Sequence, residues 1–247
     1  MIMSVDPGNG IKTGVAALVF ALTFMGGRLI SPLSPIFRDR RTVVSFGSGM
    51  AIAHVFIGTM PDLHHARTAL MATAPVPLPY QGMAIYYLAL AGFLVFYGLD
   101  HVRAQVQTSS KKNSGIAFKL HIGGFAAYVW LMVFLLGEEF NPPVEFALYA
   151  LAIAFHFLAI DHALREAHPK SYDRVGRYIL AGMCIIAWAM SQVMTLPDLL
   201  LALLVAFISG AIVVNSSISE LPREKDGRFL PFLTGGALYG LLLWSLG

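Results

Sequence analysis

Long apolar runs alternate with short polar joins along the whole chain. Eight runs come close to the roughly 20 residues that a bilayer-spanning helix needs. They cover about 12–30, 43–62, 81–100, 117–137, 144–164, 174–194, 197–219 and 229–246. This pattern predicts an all-α integral membrane protein with eight transmembrane helices. Little chain is left between the runs. The longest joins are 63–80, which holds Pro75, Pro77 and Pro79, and 101–116, a polar linker. Pro142-Pro143 marks a tight outer turn. No stretch has room for a soluble domain, so residues 1–247 read as a single transmembrane domain.

The polar joins are not alike. Arg28, Arg38, Arg40 and Arg41 follow the first run, and Arg103, Lys111, Lys112 and Lys119 follow the third. Arg165, Lys170, Arg174 and Arg177 follow the fifth, and Arg223, Lys225 and Arg228 follow the seventh. Only Lys12 and Arg67, of the 17 Lys and Arg, fall on the other side. Basic residues concentrate in cytoplasmic loops. The expected location is therefore the plasma or inner membrane, multi-pass, with both termini non-cytoplasmic. Glu138, Glu139 and Glu145 then fall outside. The N-terminal residues Met1–Gly10 contain no basic residue and do not read as a removable signal peptide.

With that orientation, a sequence repeat gains meaning. Phe46-Gly47-Ser48-Gly49, closed by Met60-Pro61, returns as Phe207-Ile208-Ser209-Gly210, closed by Leu221-Pro222. Phe, Ser, Gly and Pro all recur at a separation of 161. The second run points outward and the seventh inward, so the copies are antiparallel. The third run of each half agrees more weakly, Leu88–Leu94 against Leu233–Leu238. Antiparallel halves are the mark of an inverted repeat, common in secondary transporters. The expected arrangement is 3+2+3, with halves at about 12–100 and 174–246 and an inserted helix pair at about 117–164. Glycines in these copies also suit close helix packing.

Composition agrees with burial in lipid. Only 13% of residues are charged, about half the share in a soluble domain. The net charge of +3 resides in the membrane-flanking joins, so nucleic acid is excluded as a partner. The single cysteine, Cys184, excludes an internal disulfide framework and reads as a small buried residue.

Residues 49–62 (GMAIAHVFIGTMPD) resemble the second-span signature of the ZIP (ZRT/IRT-like) metal-transporter family, a Gly, small and apolar residues, then a Leu-Pro-Glu-like exit. Residues 209–224 are similar to the family's matching late segment. The resemblance implies eight spans, outside termini, a polar cytoplasmic loop after span 3 and the 3+2+3 repeat. It also implies a divalent cation of the zinc, iron or manganese type as cargo. In spans 4 and 5 the sequence departs from the family. The resemblance implies a fifth span reading His-x-x-Pro-Glu-Gly; here His156 is present but Ile160 holds the Glu position. Asp161 lies one residue later, about 100° around the helix. Span 4 keeps His121 without the amide and carboxylate partners, and span 6 carries no carboxylate. These residues do not assemble the family's two-metal centre.

Buried ionisable groups in a membrane usually face a cavity or a partner. His121, His156 and Asp161 are the candidate ligands for one divalent metal ion; a hydrogen-bonded structural cluster is the competing reading. His54 lies mid-span, and Asn215 is its equivalent one repeat on. Such a polar pair suits a substrate path, or simply interhelical hydrogen bonds. Asp62, His64 and His65, at the outer end of span 2, either collect a cation from outside or form a solvated helix end. His168 reads as a surface residue. Ser216, Ser217 and Ser219 read as packing residues, and Trp244 as an interface anchor. No HxxxH motif, nucleophile elbow or phosphate-cradling loop is present, so no enzyme is expected. The leading function is divalent metal transport or binding; the alternative is a non-transporting scaffold or accessory subunit of a membrane complex. A carrier of another solute is the third. The partners are the bilayer and either a second copy or a membrane-complex subunit.

Overall fold

The protein is seen in a computed structural model, which describes residues 7–26, 40–73, 81–109, 114–136, 143–217 and 228–246. Helix α1 spans Pro7–Gly26 and α2 spans Arg40–His54. A π-helical turn, Val55–Thr59, joins α2 to α3, Met60–Thr73, without breaking the rod. A 3₁₀ turn, Gln81–Met83, opens α4, Ala84–Ser109. Then come α5, Ser114–Leu136, and α6, Pro143–Ala167. The short α7, Pro169–Ser171, and a π turn, Tyr172–Gly176, lead into α8, Arg177–Ser191. Helix α9 covers Asp198–Asn215, and α10 covers Phe229–Leu246.

The described residues are thus all-α and form eight helical rods, one for each apolar run. Four stretches are long and apolar enough to cross a membrane: Ala84–Val102, Gly115–Leu136, Phe146–Ala167 and Asp198–Asn215. Gly10–Gly26 and Phe229–Ser245 are shorter apolar helices.

Two expected boundaries are corrected: the polar join predicted over 101–116 is helical as far as Ser109 and again from Ser114, because α4 continues beyond its apolar run. The join predicted from residue 63 is helical as far as Thr73. Pro61 does not stop the helix, although a mid-helix proline clashes with the carbonyl four residues earlier. The π turn directly before it widens the backbone where that clash would fall. Leu63, Ala66 and Leu70 then bury one face of α3 against Ala202 and Ala206 of α9. The second helix of the repeat also widens, at 216–217. The two π segments begin at 55 and 216, again 161 apart. Ser219 and Pro222 lie outside the described residues.

The main helix contacts pair α2 with α10, α4 with α9, α1 with α8, and α5 with α8. Helix α6 leans on α2 and α1, α5 touches α4 and α9, α3 touches α9, and α10 touches α6. Glycines set the closest of these. A Cβ on Gly49 would strike the Phe232 carbonyl and the Gly236 nitrogen; one on Gly235 would strike the Phe46 carbonyl. On the other side, a Cβ on Gly210 would strike the Ala89 carbonyl and the Phe93 nitrogen; one on Gly92 would strike the Phe207 carbonyl. The two sets match residue for residue. Positions 46 and 49 map to 207 and 210, both 161 apart, while 89, 92 and 93 map to 232, 235 and 236, all 143 apart.

The largest apolar core gathers Phe20 and Phe24 of α1, Tyr128 and Phe134 of α5, Phe157 and Ile160 of α6 and Leu180 of α8. Cys184 is fully buried there. On α1, Gly14 makes room for Trp188 and Gly10 for Gln192, and the Trp188 indole N–H donates to the Gly10 carbonyl at 3.2 Å. Outward faces are apolar: Ile11, Val15, Leu18 and Leu22 on α1, and Leu233, Leu241 and Trp244 on α10.

Candidate functional site

The buried His and Asp side chains among the described residues fall into two groups. The first is at the centre. His54 closes α2, and its Nδ1 shares a 2.9 Å hydrogen bond with the Tyr239 hydroxyl of α10. Its ring meets Tyr149 of α6 edge-on, with centroids 4.8 Å apart. Gly58 is required beneath it, because any Cβ there would collide with the imidazole. His156 lies on α6 about two turns beyond Tyr149, on the same helix face. Its Nε2 shares a 2.6 Å hydrogen bond with the hydroxyl of Tyr128 on α5. Four helices therefore contribute Tyr239, His54, His156 and Tyr128 to one buried polar region.

The second group holds the junction of α6 with α7 and α8. Arg165 donates through one nitrogen to both oxygens of Asp161, at 2.9 and 3.1 Å, and through the other to Asp173. Tyr172 donates to Asp161 at 2.7 Å, and the Arg165 guanidinium lies over its ring. Burial first, and the neighbouring Asp161 charge second, push the Tyr172 hydroxyl far above the usual phenol range. It remains a donor. Beside this network, His121 Nδ1 and His168 Nε2 lie 3.2 Å apart, flanked by Phe118 and Phe125.

The predicted ligands accordingly go to different places. His156 joins Tyr128, His121 joins His168, and Asp161 joins Arg165 and Tyr172. Among the described residues no group of three or more His, Cys, Asp or Glu is arranged to hold a metal ion. His168 is corrected from a surface residue to a buried one, because Phe118 and His121 of α5 cover it. Asp62, His64 and His65 lie on the first turns of α3 rather than at a helix end. Asp62 is half-buried, while the two imidazoles are exposed. Asn215 and Ser216 are buried; among the described residues the Asn215 amide nitrogen and the Ser216 hydroxyl have no hydrogen-bond partner.

Sequence reading missed Tyr128, Tyr239, Arg165 and Tyr172. Each lies within an apolar or basic stretch that explains its presence without a site. The spacing of Asp161 and Arg165, one helical turn, was the available signal for that pair.

No protein-family model, no curated protein and no solved structure matches this chain.

Proposed function

We propose that this chain is a ZIP-like membrane carrier built as a 3+2+3 inverted repeat, which binds or transports a divalent metal cation. The observation that carries the repeat is the matched set of glycine contacts, with offsets of 161 on one helix and 143 on its partner. The wider packing supports it. Exchange rod 1 with 6, 2 with 7, 3 with 8, and 4 with 5. Each helix contact given above then falls on another of them or on itself. One-sided Lys and Arg and the apolar helices support insertion in a bilayer.

The cargo reading rests on the resemblance in spans 2 and 7 and on the buried imidazoles. Imidazole suits borderline cations such as zinc, copper and iron. His156 and His121 are the proposed ligands, with Asp161 supplying charge once Arg165 is displaced. A non-transporting scaffold is the second reading. The engagement of Asp161 by Arg165 and Tyr172 favours it, since an ion-paired carboxylate has no charge to spare.

Uptake by purified protein in proteoliposomes separates the two. A carrier takes up zinc, manganese or iron(II), loses that uptake in His156→Ala, and retains metal by elemental analysis. A scaffold shows no uptake, metal near zero and a co-purifying membrane partner; that result sinks the metal reading.

A further inference from the structure

The two halves differ in their buried polar chemistry at positions that the proposed symmetry makes equivalent. His54 and Asn215 occupy equivalent positions, each buried and each followed at once by a π-helical widening. In the first half His54 is satisfied by Tyr239. The glycine register that relates α4 to α10 puts Phe96 at the position of Tyr239, since both are 143 apart. Phenylalanine has no hydroxyl to offer. Among the described residues the amide nitrogen of Asn215 has no protein partner, and neither has the hydroxyl of Ser216, whose counterpart in the first half is the apolar Val55. Both residues are more than nine-tenths buried. Leaving such groups unmet is costly in an apolar interior. A π widening also loosens the regular backbone pairing beside them, and such turns recur at functional sites.

We infer that Asn215 and Ser216 line the water-bearing path of this protein, and that the first half is a closed latch. The ligand class is water and small solutes that travel with their hydration shell. Their oxygens accept from the Asn215 amide and exchange hydrogen bonds with Ser216. His54, Tyr239 and Gly58 form a self-satisfied contact that holds α2 on α10. The functional meaning of this path rests on the carrier reading, but its detection does not require transport.

Thiol chemistry tests it in the full-length protein. Cys184 is the only cysteine and is fully buried, so Cys184→Ala provides a clean background. Ser216→Cys and Val55→Cys are equivalent positions in the two halves. A positively charged, water-soluble methanethiosulfonate reacts with the thiolate, which needs water around it. Ser216→Cys is expected to react at least about tenfold faster than Val55→Cys in native membranes; a smaller or inverted ratio overturns the proposal. Thermal unfolding supplies a second, independent reading. Asn215→Leu is expected to leave Tm unchanged or raise it, because no protein bond is lost. His54→Leu is expected to lower Tm, because the bond between His54 and Tyr239 is lost. A fall in Asn215→Leu equal to that in His54→Leu overturns the proposal, since Asn215 would then be bonded within the protein. Metal uptake enters neither measurement, so a failure of the carrier reading is seen separately.

Discussion

Glycine at 49, 92, 210 and 235 is a steric requirement, because the atom facing each of them is a backbone atom. A side chain can turn away from an added methyl group; a carbonyl in a helix can move only if the helix moves. Gly182 is different, with nothing within 4 Å of where its Cβ would be. Gly49→Ala and Gly210→Ala should each lower stability by at least the ~1–3 kcal/mol typical of overpacking. Gly182→Ala should be neutral or gain up to about 1 kcal/mol, the helix advantage of Ala over Gly. Thermal unfolding of the three variants in one detergent checks this. Equal behaviour would show that α2·α10 and α4·α9 are not in glycine contact. These contacts also explain what was legible in the sequence. Gly49 recurs as Gly210 because one helix of each pair must leave room there for the backbone of its partner. The facing residues, Ala89 and Phe93 against Phe232 and Gly236, fill that room with backbone atoms that any residue supplies. Side-chain identity was therefore free to drift there, and only structure sets that offset at 143.

At the scale of elements, the corner between α6 and α8 depends on a charge network rather than on apolar packing alone. Arg165 links Asp161, one turn behind it, to Asp173, which lies beyond the break at His168. Asp161→Asn removes the carboxylate and leaves Arg165 in a largely buried place with half its compensation. Breaking a buried pair from one side costs ~3–5 kcal/mol, more than removing both partners together. Asp161→Asn should therefore destabilise more than the double variant Asp161→Leu/Arg165→Leu. Unfolding midpoints of both variants measure the difference, and the reverse order would mean that Arg165 is adequately solvated. The sequence displayed the Asp161–Arg165 spacing, yet the inserted helix pair drew attention to metal ligation instead. His168 was harder to read. Its neighbours Pro169 and Lys170 mark a polar join, and only the approach of α5 buries it. The π turn before Pro61 was likewise invisible to hydropathy, because an apolar run reads the same whether its turns hold three to four residues or more.

For the whole molecule, the proposed exchange of rods, which carries the main helix contacts onto one another, has a consequence for topology. An inverted repeat requires an odd number of helices per half, so that the second copy enters the membrane from the opposite side. Three helices, two inserted and three more give an even total, which returns the chain to its starting side. Both termini should then share one face, which the one-sided Lys and Arg predict to be the non-cytoplasmic one. The joins at 101–116 and 165–174 should face inward together. In a bacterial host, a periplasm-dependent phosphatase fused after Gly247 should be active, and a green fluorescent protein there should be dark. The same reporters inserted at Ser110, within the polar linker, should give the opposite pair. Fluorescence at the C-terminal fusion would break the count of eight or the orientation. Agreement between Gly247 and Ser110 would break the alternation of spans 4 to 8. The second result would undermine the antiparallel relation of α2 and α9 on which the proposed inverted repeat depends, whereas fluorescence at Gly247 together with phosphatase activity at Ser110 would invert the orientation and leave that relation intact.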